Sequence, residues 1–181
     1  LESTEPEFIQ PGDMDLIGQK TDLLGINYYT RMVVSANTDG VHNEKRNVPH
    51  TEMGWELYPE GLYEILARVN RDYHPNQLMV TENGASYSDG PDETGRVHDQ
   101  RRIDYLESHI GQIWQAVFSG IPVSGYLVWS LLDNFEWARG YSQRFGIVHV
   151  DYETQKRTIK DSAYWFGDYL EPIKAMSTRM G

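Results

Sequence analysis

The stretch Leu78-Met79-Val80-Thr81-Glu82-Asn83-Gly84 decides the fold. Three apolar residues and a threonine lead directly into a carboxylate, an amide and a glycine, so a short buried strand ends in a polar turn. A strand that is apolar on both faces is typical of a parallel sheet covered by helices. We therefore expect an α/β fold in which Glu82 lies at the carboxyl end of a parallel strand.

Strand-like and helix-like segments alternate on both sides of this stretch. Short apolar runs predict strands, and apolar residues that recur every three or four positions predict helices with one buried face. The predicted elements are strands at 23–29, 78–81 and 125–130, helices at 59–74 and 99–118, a hairpin at 147–158 and a helix from about Asp161. The polar residues 41–52 predict a long loop.

Alternation of this kind fits either a doubly wound sheet or part of an eight-stranded barrel. The chain contains no G-x-G-x-x-G or G-x-x-x-x-G-K motif, so nucleotide binding has little support. In a barrel, polar residues at the carboxyl ends of the strands share one active-site mouth. Here those ends and the loops after them carry Asn27, Tyr29, Glu82, Asn83, Trp129, Asn134, Glu136 and Trp137. Aromatic rings beside hydrogen-bonding groups are typical of a sugar-binding cleft.

Composition excludes several other classes of function. The chain has 181 residues, with 16 Lys and Arg against 27 Asp and Glu and a net charge of −11. This acidic balance argues against binding to nucleic acid or to an anionic membrane. No cysteine is present, which removes disulfides, thiolate nucleophiles and cysteine-type zinc sites.

The six histidines lack the spacing of metal ligands, and we assign no metal. No apolar run is long enough to span a membrane, and residues 1–5 lack the pattern of a signal peptide. We therefore expect a cytoplasmic bacterial protein.

Four motifs occur in a fixed order and carry a family resemblance. They are Gly25-Ile26-Asn27-Tyr28-Tyr29, Gly54-Trp55-Glu56, Thr81-Glu82-Asn83-Gly84 and the run 129–147, which includes Asn134-Phe135-Glu136-Trp137. Together they closely resemble glycoside hydrolase family 1, the β-glucosidases, over nearly the whole chain. The resemblance implies the C-terminal part of a (β/α)8 TIM barrel, strands six to eight. Residues 1–181 would then be the C-terminal segment of a single barrel domain.

The resemblance also implies site residues for a retaining β-glycosidase that hydrolyses terminal β-D-glucosyl residues. Glu82 resembles the catalytic nucleophile, and Tyr29 resembles the tyrosine that hydrogen-bonds it. The residues implied to bind the β-glucoside or oligosaccharide substrate are Asn27, Trp55, Trp129, Glu136, Trp137 and Phe145. Trp129 would form the floor under the sugar, Glu136 and Trp137 would bind its hydroxyls, and Trp55 would support the aglycone. No cofactor is expected, because two carboxylates suffice for this chemistry.

The family's general acid/base lies in an Asn-Glu-Pro motif, and this sequence contains no such motif. A (β/α)8 barrel needs about 200 residues or more, and only three of its eight strands are predicted here. We therefore expect an incomplete barrel that is inactive alone and whose partner is the N-terminal fragment of the same enzyme. The alternative is a non-catalytic sugar-binding or structural remnant of such an enzyme.

Overall fold

The computed structural model describes residues 8–37, 40–43 and 46–177. In chain order, the elements are α1 (Asp13–Ile17), β1 (Leu24–Asn27), β2 (Val34–Asn37), β3 (Gly40–Asn43), α2 (Glu60–Tyr73), β4 (Leu78–Asn83), α3 (Gln100–Phe118), β5 (Val123–Val128), a 3-10 helix (Trp137–Arg139), β6 (Val148–Val150), β7 (Arg157–Ile159) and α4 (Asp161–Ser177). None of the helices in this described part is long and apolar enough to cross a membrane.

A parallel sheet of three strands, β1-β4-β5, forms the centre of the described structure. Strand β4 lies in the middle, with Ile26 of β1 and Tyr126 of β5 opposite Val80. Asn27 lies opposite Glu82 after a register shift. Because the strands are parallel, their carboxyl ends meet at one edge, and this edge carries the polar residues singled out from the sequence.

Helices α2 and α3 cover one face of the sheet. The buried residues of this core are Tyr28, Leu62, Leu66, Val69, Leu78, Val80, Ile113, Ala116 and Ile121. Asn27 and Leu127 alternate with the strand residues that pack against the helices, so they lie on the other face. Asn27 is exposed there, and Leu127 is 49% exposed. The sheet is thus covered on one side and largely open on the other in the described chain.

A second core lies at the carboxyl edge of the sheet. Tyr105, Leu106 and Ile110 of α3 pack with Ala85 and Tyr87, which follow β4. Part of helix α4 and Ile147 complete this cluster. The loops after β4 and β5 therefore rest on α3 rather than extending freely into solvent.

Several elements differ from the sequence-based expectation. Helix α1 was not predicted, β1 ends two residues before the predicted end, and β4 extends two residues beyond it. The residues before and within the predicted loop 41–52 form an antiparallel hairpin of β2 and β3. Its polar sequence lacks the alternation of apolar residues that signals a strand. Strand β5 begins at Val123, two residues before the predicted start.

Candidate active site

Glu82 lies at the carboxyl end of β4, where Tyr29 contacts it directly. The Tyr29 hydroxyl donates a hydrogen bond of 2.8 Å to Oε2 of Glu82. None of the described residues hydrogen-bonds Oε1 of that carboxylate. Burial raises the pKa of Tyr29, and the hydrogen bond to Glu82 and the charges of Glu82 and Glu136 raise it further. The phenol therefore stays protonated and donates to the carboxylate at neutral pH.

Three aromatic rings from distant parts of the sequence meet beside this hydrogen bond. The ring centroid of Tyr29 lies 5.3 Å from that of Trp55 and 6.1 Å from that of Phe145. The rings of Trp55 and Phe145 are 6.0 Å apart. We call Tyr29, Trp55, Glu82 and Phe145 the nucleophile cluster, after the role that the family resemblance implies for Glu82. It combines a carboxylate with an apolar aromatic wall, as sugar-binding sites do.

A buried hydrogen-bond network lies behind Glu82. The fully buried Asn83 donates through Nδ2 to the carbonyl of Tyr28 at 2.8 Å and to the hydroxyl of Tyr105 at 3.1 Å. Its Oδ1 accepts from the Tyr126 hydroxyl at 3.0 Å. The Tyr105 hydroxyl in turn donates to the carbonyl of Tyr29 at 3.2 Å. The main chain on both sides of the Tyr29 to Glu82 contact is thereby fixed.

The chain after β5 passes close to the turn after β4. The amide of Trp129 donates to the carbonyl of Asn83 at 2.9 Å, and the peptide bond between Trp129 and Ser130 is cis. A Cβ atom at Gly84 would overlap the carbonyl oxygen of Trp129, so this contact requires glycine. Trp129 is thus held beside the strand that carries Glu82.

Glu136 and Trp137 lie on a segment that we call the rim loop, residues 134–142. Oε2 of Glu136 accepts a hydrogen bond of 3.1 Å from Nδ2 of Asn134. Trp137 is 85% exposed and has a positive φ of 41°. Trp137 is therefore not packed into the nucleophile cluster, although Glu136 is near enough for its charge to raise the pKa of Tyr29.

Asp133 anchors the base of the rim loop. One of its carboxylate oxygens accepts from the amide of Gly146 at 3.0 Å and from Nζ of Lys160 at 3.1 Å. The other accepts from Arg144 at 2.7 Å and from the amide of Val150 at 3.2 Å. Burial alone would raise the pKa of Asp133, but Lys160 and Arg144 outweigh it and hold that pKa below its usual value.

The structure therefore brings four of the eight predicted site residues into one cluster, with Asn27 and Trp129 beside it. Asn27 accepts a hydrogen bond from Thr81 at 2.7 Å on the open face of the sheet. The supporting residues Tyr105 and Asp133 were not predicted from the sequence. Tyr105 could have been found, because it lies next to Leu106 on the apolar face of α3. In the part of the chain that the structure describes, no group of His, Asp and Glu side chains could hold a metal ion.

The chain is similar in sequence to several known glycosidases. The profile of glycosyl hydrolase family 1 matches residues 2–174. Beta-glucosidase A of Thermotoga maritima is 54% identical over 162 residues, covering 88% of this chain and 36% of that enzyme. A bifunctional beta-D-glucosidase/beta-D-fucosidase of Bifidobacterium breve is 42% identical, covering 90% of this chain and 40% of its own length. A 6-phospho-beta-galactosidase of Streptococcus equi is 38% identical, with 87% and 39% covered.

Solved structures agree with these sequence matches. The family 1 b-glucosidase from Thermotoga maritima superposes with a TM-score of 0.85, covering 88% of this chain and 37% of that one. The structure of that beta-glucosidase in complex with glucoimidazole gives the same TM-score and covers 36% of its chain. The present chain thus spans little more than a third of the length of these relatives.

Proposed function

Because the chain belongs to glycosyl hydrolase family 1, we propose that it supplies the nucleophile of a retaining β-glycosidase that hydrolyses terminal β-D-glucosyl residues. Its α/β fold is part of the family's TIM barrel, as the sequence predicted. The observation that carries the proposal is the placement of Glu82. Its carboxylate lies at the end of β4, is hydrogen-bonded by Tyr29 and faces an aromatic wall.

The chemistry needs two carboxyl groups about 5 to 5.5 Å apart. The Glu82 carboxylate attacks the anomeric carbon, the bond to the leaving oxygen breaks, and that oxygen takes a proton from the second group. Water then attacks the glycosyl-enzyme and loses a proton to the same second group, which frees Glu82 and the sugar. In our proposal Tyr29 orients Glu82 throughout, and the second group belongs to a part of the enzyme outside this chain.

We assign the other predicted residues to substrate binding. Trp129 stacks under the sugar, Phe145 closes the pocket and Trp55 supports the aglycone. On the rim loop, the Glu136 carboxylate accepts hydrogen bonds from sugar hydroxyls, with Trp137 beside it. A negative charge at this point repels a phosphorylated sugar, so the proposed substrate is a neutral β-glucoside. This distinguishes it from the substrate named for the 6-phospho-beta-galactosidase relative.

The proposed partner is the N-terminal part of the same enzyme, with residues 1–181 as the C-terminal segment of one barrel domain. The open face of the sheet supports this arrangement. Leu127 is 49% exposed there, and β1 and β5 are edge strands of the described sheet. Unpaired strand edges and exposed apolar side chains favour association.

The test uses what we call the complemented enzyme. This is the present chain combined with the part of Thermotoga maritima Beta-glucosidase A that it does not match. We expect it to hydrolyse p-nitrophenyl β-glucoside and not the 6-phosphorylated analogue. Glu82→Gln should lower kcat by on the order of 10⁴-fold or more, whereas Glu107→Gln, at an exposed position on α3, should not.

A 2-deoxy-2-fluoro-β-glucoside with a good leaving group should accumulate as a covalent adduct on Glu82, which peptide mass spectrometry can locate. An adduct on another residue would refute the assignment of the nucleophile. A folded complemented enzyme that binds deoxynojirimycin without turnover would instead favour a non-catalytic sugar-binding remnant.

A further inference from the structure

Arg102 of α3 is a buried arginine that the proposed chemistry does not use. It is 1% exposed and lies on the side of the helix that faces the loops after β4 and β5. Its neighbour Arg101 is exposed and pairs with Glu52 and Asp89 at the surface. The two arginines are adjacent in sequence but occupy opposite environments.

All five hydrogen-bond donors of the Arg102 guanidinium are matched by acceptors. Nε donates to Asp99 at 2.9 Å. One terminal nitrogen donates to the carbonyls of Ala85 and of Phe145, the latter at 3.2 Å. The other donates to the carbonyls of Tyr87 at 3.1 Å and Arg144 at 3.0 Å. A planar fork with five N–H groups is the side chain best suited to such a set.

These four carbonyls belong to two loops of the site. Ala85 and Tyr87 lie in the loop that follows Glu82. Arg144 and Phe145 lie in a second loop, which contributes the Phe145 ring to the nucleophile cluster. The loops also bond to one another, since Ser86 Oγ donates to Gln143 at 2.8 Å and accepts from the amide of Arg144 at 3.0 Å. Arg102 is therefore a clamp between the loop of the nucleophile and the loop of Phe145.

Asp99 holds the clamp in place from the other side. One oxygen of its buried carboxylate accepts from both Nε of Arg102 and the hydroxyl of Ser162, at 2.9 and 2.6 Å. The other accepts from the amide of Ser162 at 2.8 Å. The start of α4 is thereby tied to the same point.

We propose that Arg102 is a positioning residue for glycosyl transfer to Glu82, acting through the carbonyls of the two loops. The inference rests on the proposed function. Without the clamp the two loops lose four of the hydrogen bonds that align them, Phe145 shifts away from Tyr29, and Tyr29 no longer holds Glu82 in place. Lysine cannot replace it, because an ammonium group has three donors and cannot reach carbonyls on both loops in one plane.

The experiment measures glycosylation per active site in the complemented enzyme. A 2-deoxy-2-fluoro-β-glucoside with a dinitrophenolate leaving group releases a burst of dinitrophenolate, whose size counts the working sites. The inactivation rate constant at saturating inhibitor reports the attack by Glu82. We expect Arg102→Lys to lower this rate constant about 10- to 100-fold per labelled site, since small misplacements of reacting groups cost this much. The matched variant Arg101→Lys should leave it unchanged.

A purely structural role would give a different result. Fewer labelled sites or a lower melting temperature, with an unchanged rate constant per site, would overturn the proposal. If Arg102→Lys gives no labelled site at all, the same measurement is made on Asp99→Asn. We expect its inactivation rate constant per site to be three- to tenfold lower. An unchanged rate constant would overturn the proposal. Failure of the wild-type protein to label Glu82 would refute the proposed function instead, so the two failures are distinguishable.

Discussion

The nucleophile cluster and the rim loop contribute different parts of the proposed site and are held in different ways. Behind Glu82, buried hydrogen bonds from Asn83 and Tyr105 fix the main chain, and Tyr29 fixes the carboxylate. On the rim loop, Trp137 is 85% exposed, and Glu136 receives a single side-chain hydrogen bond, from Asn134, within the described chain. Attack on an anomeric carbon needs narrow geometry, whereas binding of hydroxyls tolerates adjustment. The supporting hydrogen bonds are therefore concentrated where we propose that the bond to the sugar forms.

The largest expected effect comes from neutralising Asp133, which joins the rim loop to the rest of the fold. Asp133→Asn removes the charge partner of Lys160, whose side chain is fully buried. Leaving a buried charge without its partner costs about 3 to 5 kcal/mol. We expect a loss of this size in the free energy of unfolding, measured by denaturant titration of the complemented enzyme.

The matched control for this anchor is Asp72→Asn. Asp72 pairs with Arg71 and Arg68 at the surface of α2, where such pairs contribute little. If both variants unfold at the same denaturant concentration, the base of the rim loop does not depend on Asp133.

We expect acid to lower the stability of the fold behind the nucleophile cluster, because His109 gains a proton. This fully buried ring stacks on Tyr105 with centroids 3.9 Å apart, and burial lowers its pKa from 6.5 to about 4. The unfolded chain therefore binds the proton more tightly than the folded chain. The stabilisation is complete above about pH 6.5 and is lost as the pH falls towards 4, by at most about 3 kcal/mol.

Melting temperatures of the complemented enzyme between pH 7.5 and 4.5 test this effect. His109→Gln should flatten the acid side of the curve, because it removes the group that gains a proton on unfolding. His74→Gln, at an exposed position where the described residues form no ion pair with the ring, is the matched control. Equal slopes for wild type and His109→Gln would assign acid sensitivity to other groups.

Tyr29→Phe tests the orientation of the nucleophile with little change in shape. A hydrogen bond to a charged group contributes about 1.5 to 3 kcal/mol, so we expect kcat to fall roughly 10- to 100-fold. The control is Tyr58→Phe, which removes a comparable hydrogen bond of 2.7 Å to Glu64 at the surface. Equal kcat values for the two variants would mean that Tyr29 does not orient Glu82 in the reaction.

The difference between the two regions also explains what sequence could predict. The apolar run of β4 and the helical spacing of apolar residues in α2 and α3 predicted these elements, because the same residues pack into the core. Neither Arg102 nor Asp133 was predicted to be buried, because charged residues ordinarily lie at the surface. Arg102 could have been noticed, since it precedes Leu106 by four positions and so shares the apolar face of α3. Asp133 gives no such signal, because its partners, which lie in residues 144–150 and at Lys160, are 11 or more residues further along the chain.

The resemblance implied the hydrogen bond from Tyr29 to Glu82, but the sequence did not predict the ring contacts within the nucleophile cluster. The resemblance indicated Trp55, Glu82 and Phe145 as site residues, but only the structure shows that their loops meet. The exposure of Trp137 was not predicted either. A side chain on a loop takes its environment from packing against other segments, and local sequence does not encode that packing.

The smallest expected effect concerns specificity at the rim loop. Glu136→Gln keeps the shape of the side chain but replaces charge-assisted hydrogen bonds with neutral ones, which are roughly half as strong. A β-D-fucoside lacks the 6-hydroxyl of a β-glucoside and has the opposite configuration at C4, so fewer of its hydroxyls lie where Glu136 binds those of glucose. We expect kcat/KM for p-nitrophenyl β-glucoside to fall about tenfold relative to the β-fucoside, with the inactivation rate constant at Glu82 little changed.

Asn134→Ala sharpens this prediction, because it removes the hydrogen bond that orients Glu136 while leaving its charge. A shift in preference of the same sign but smaller size would show that the rim loop selects the sugar through an oriented carboxylate. An equal loss for both substrates in Glu136→Gln would instead place Glu136 with the nucleophile cluster. The proposed division between a fixed nucleophile and an adjustable rim would then be wrong.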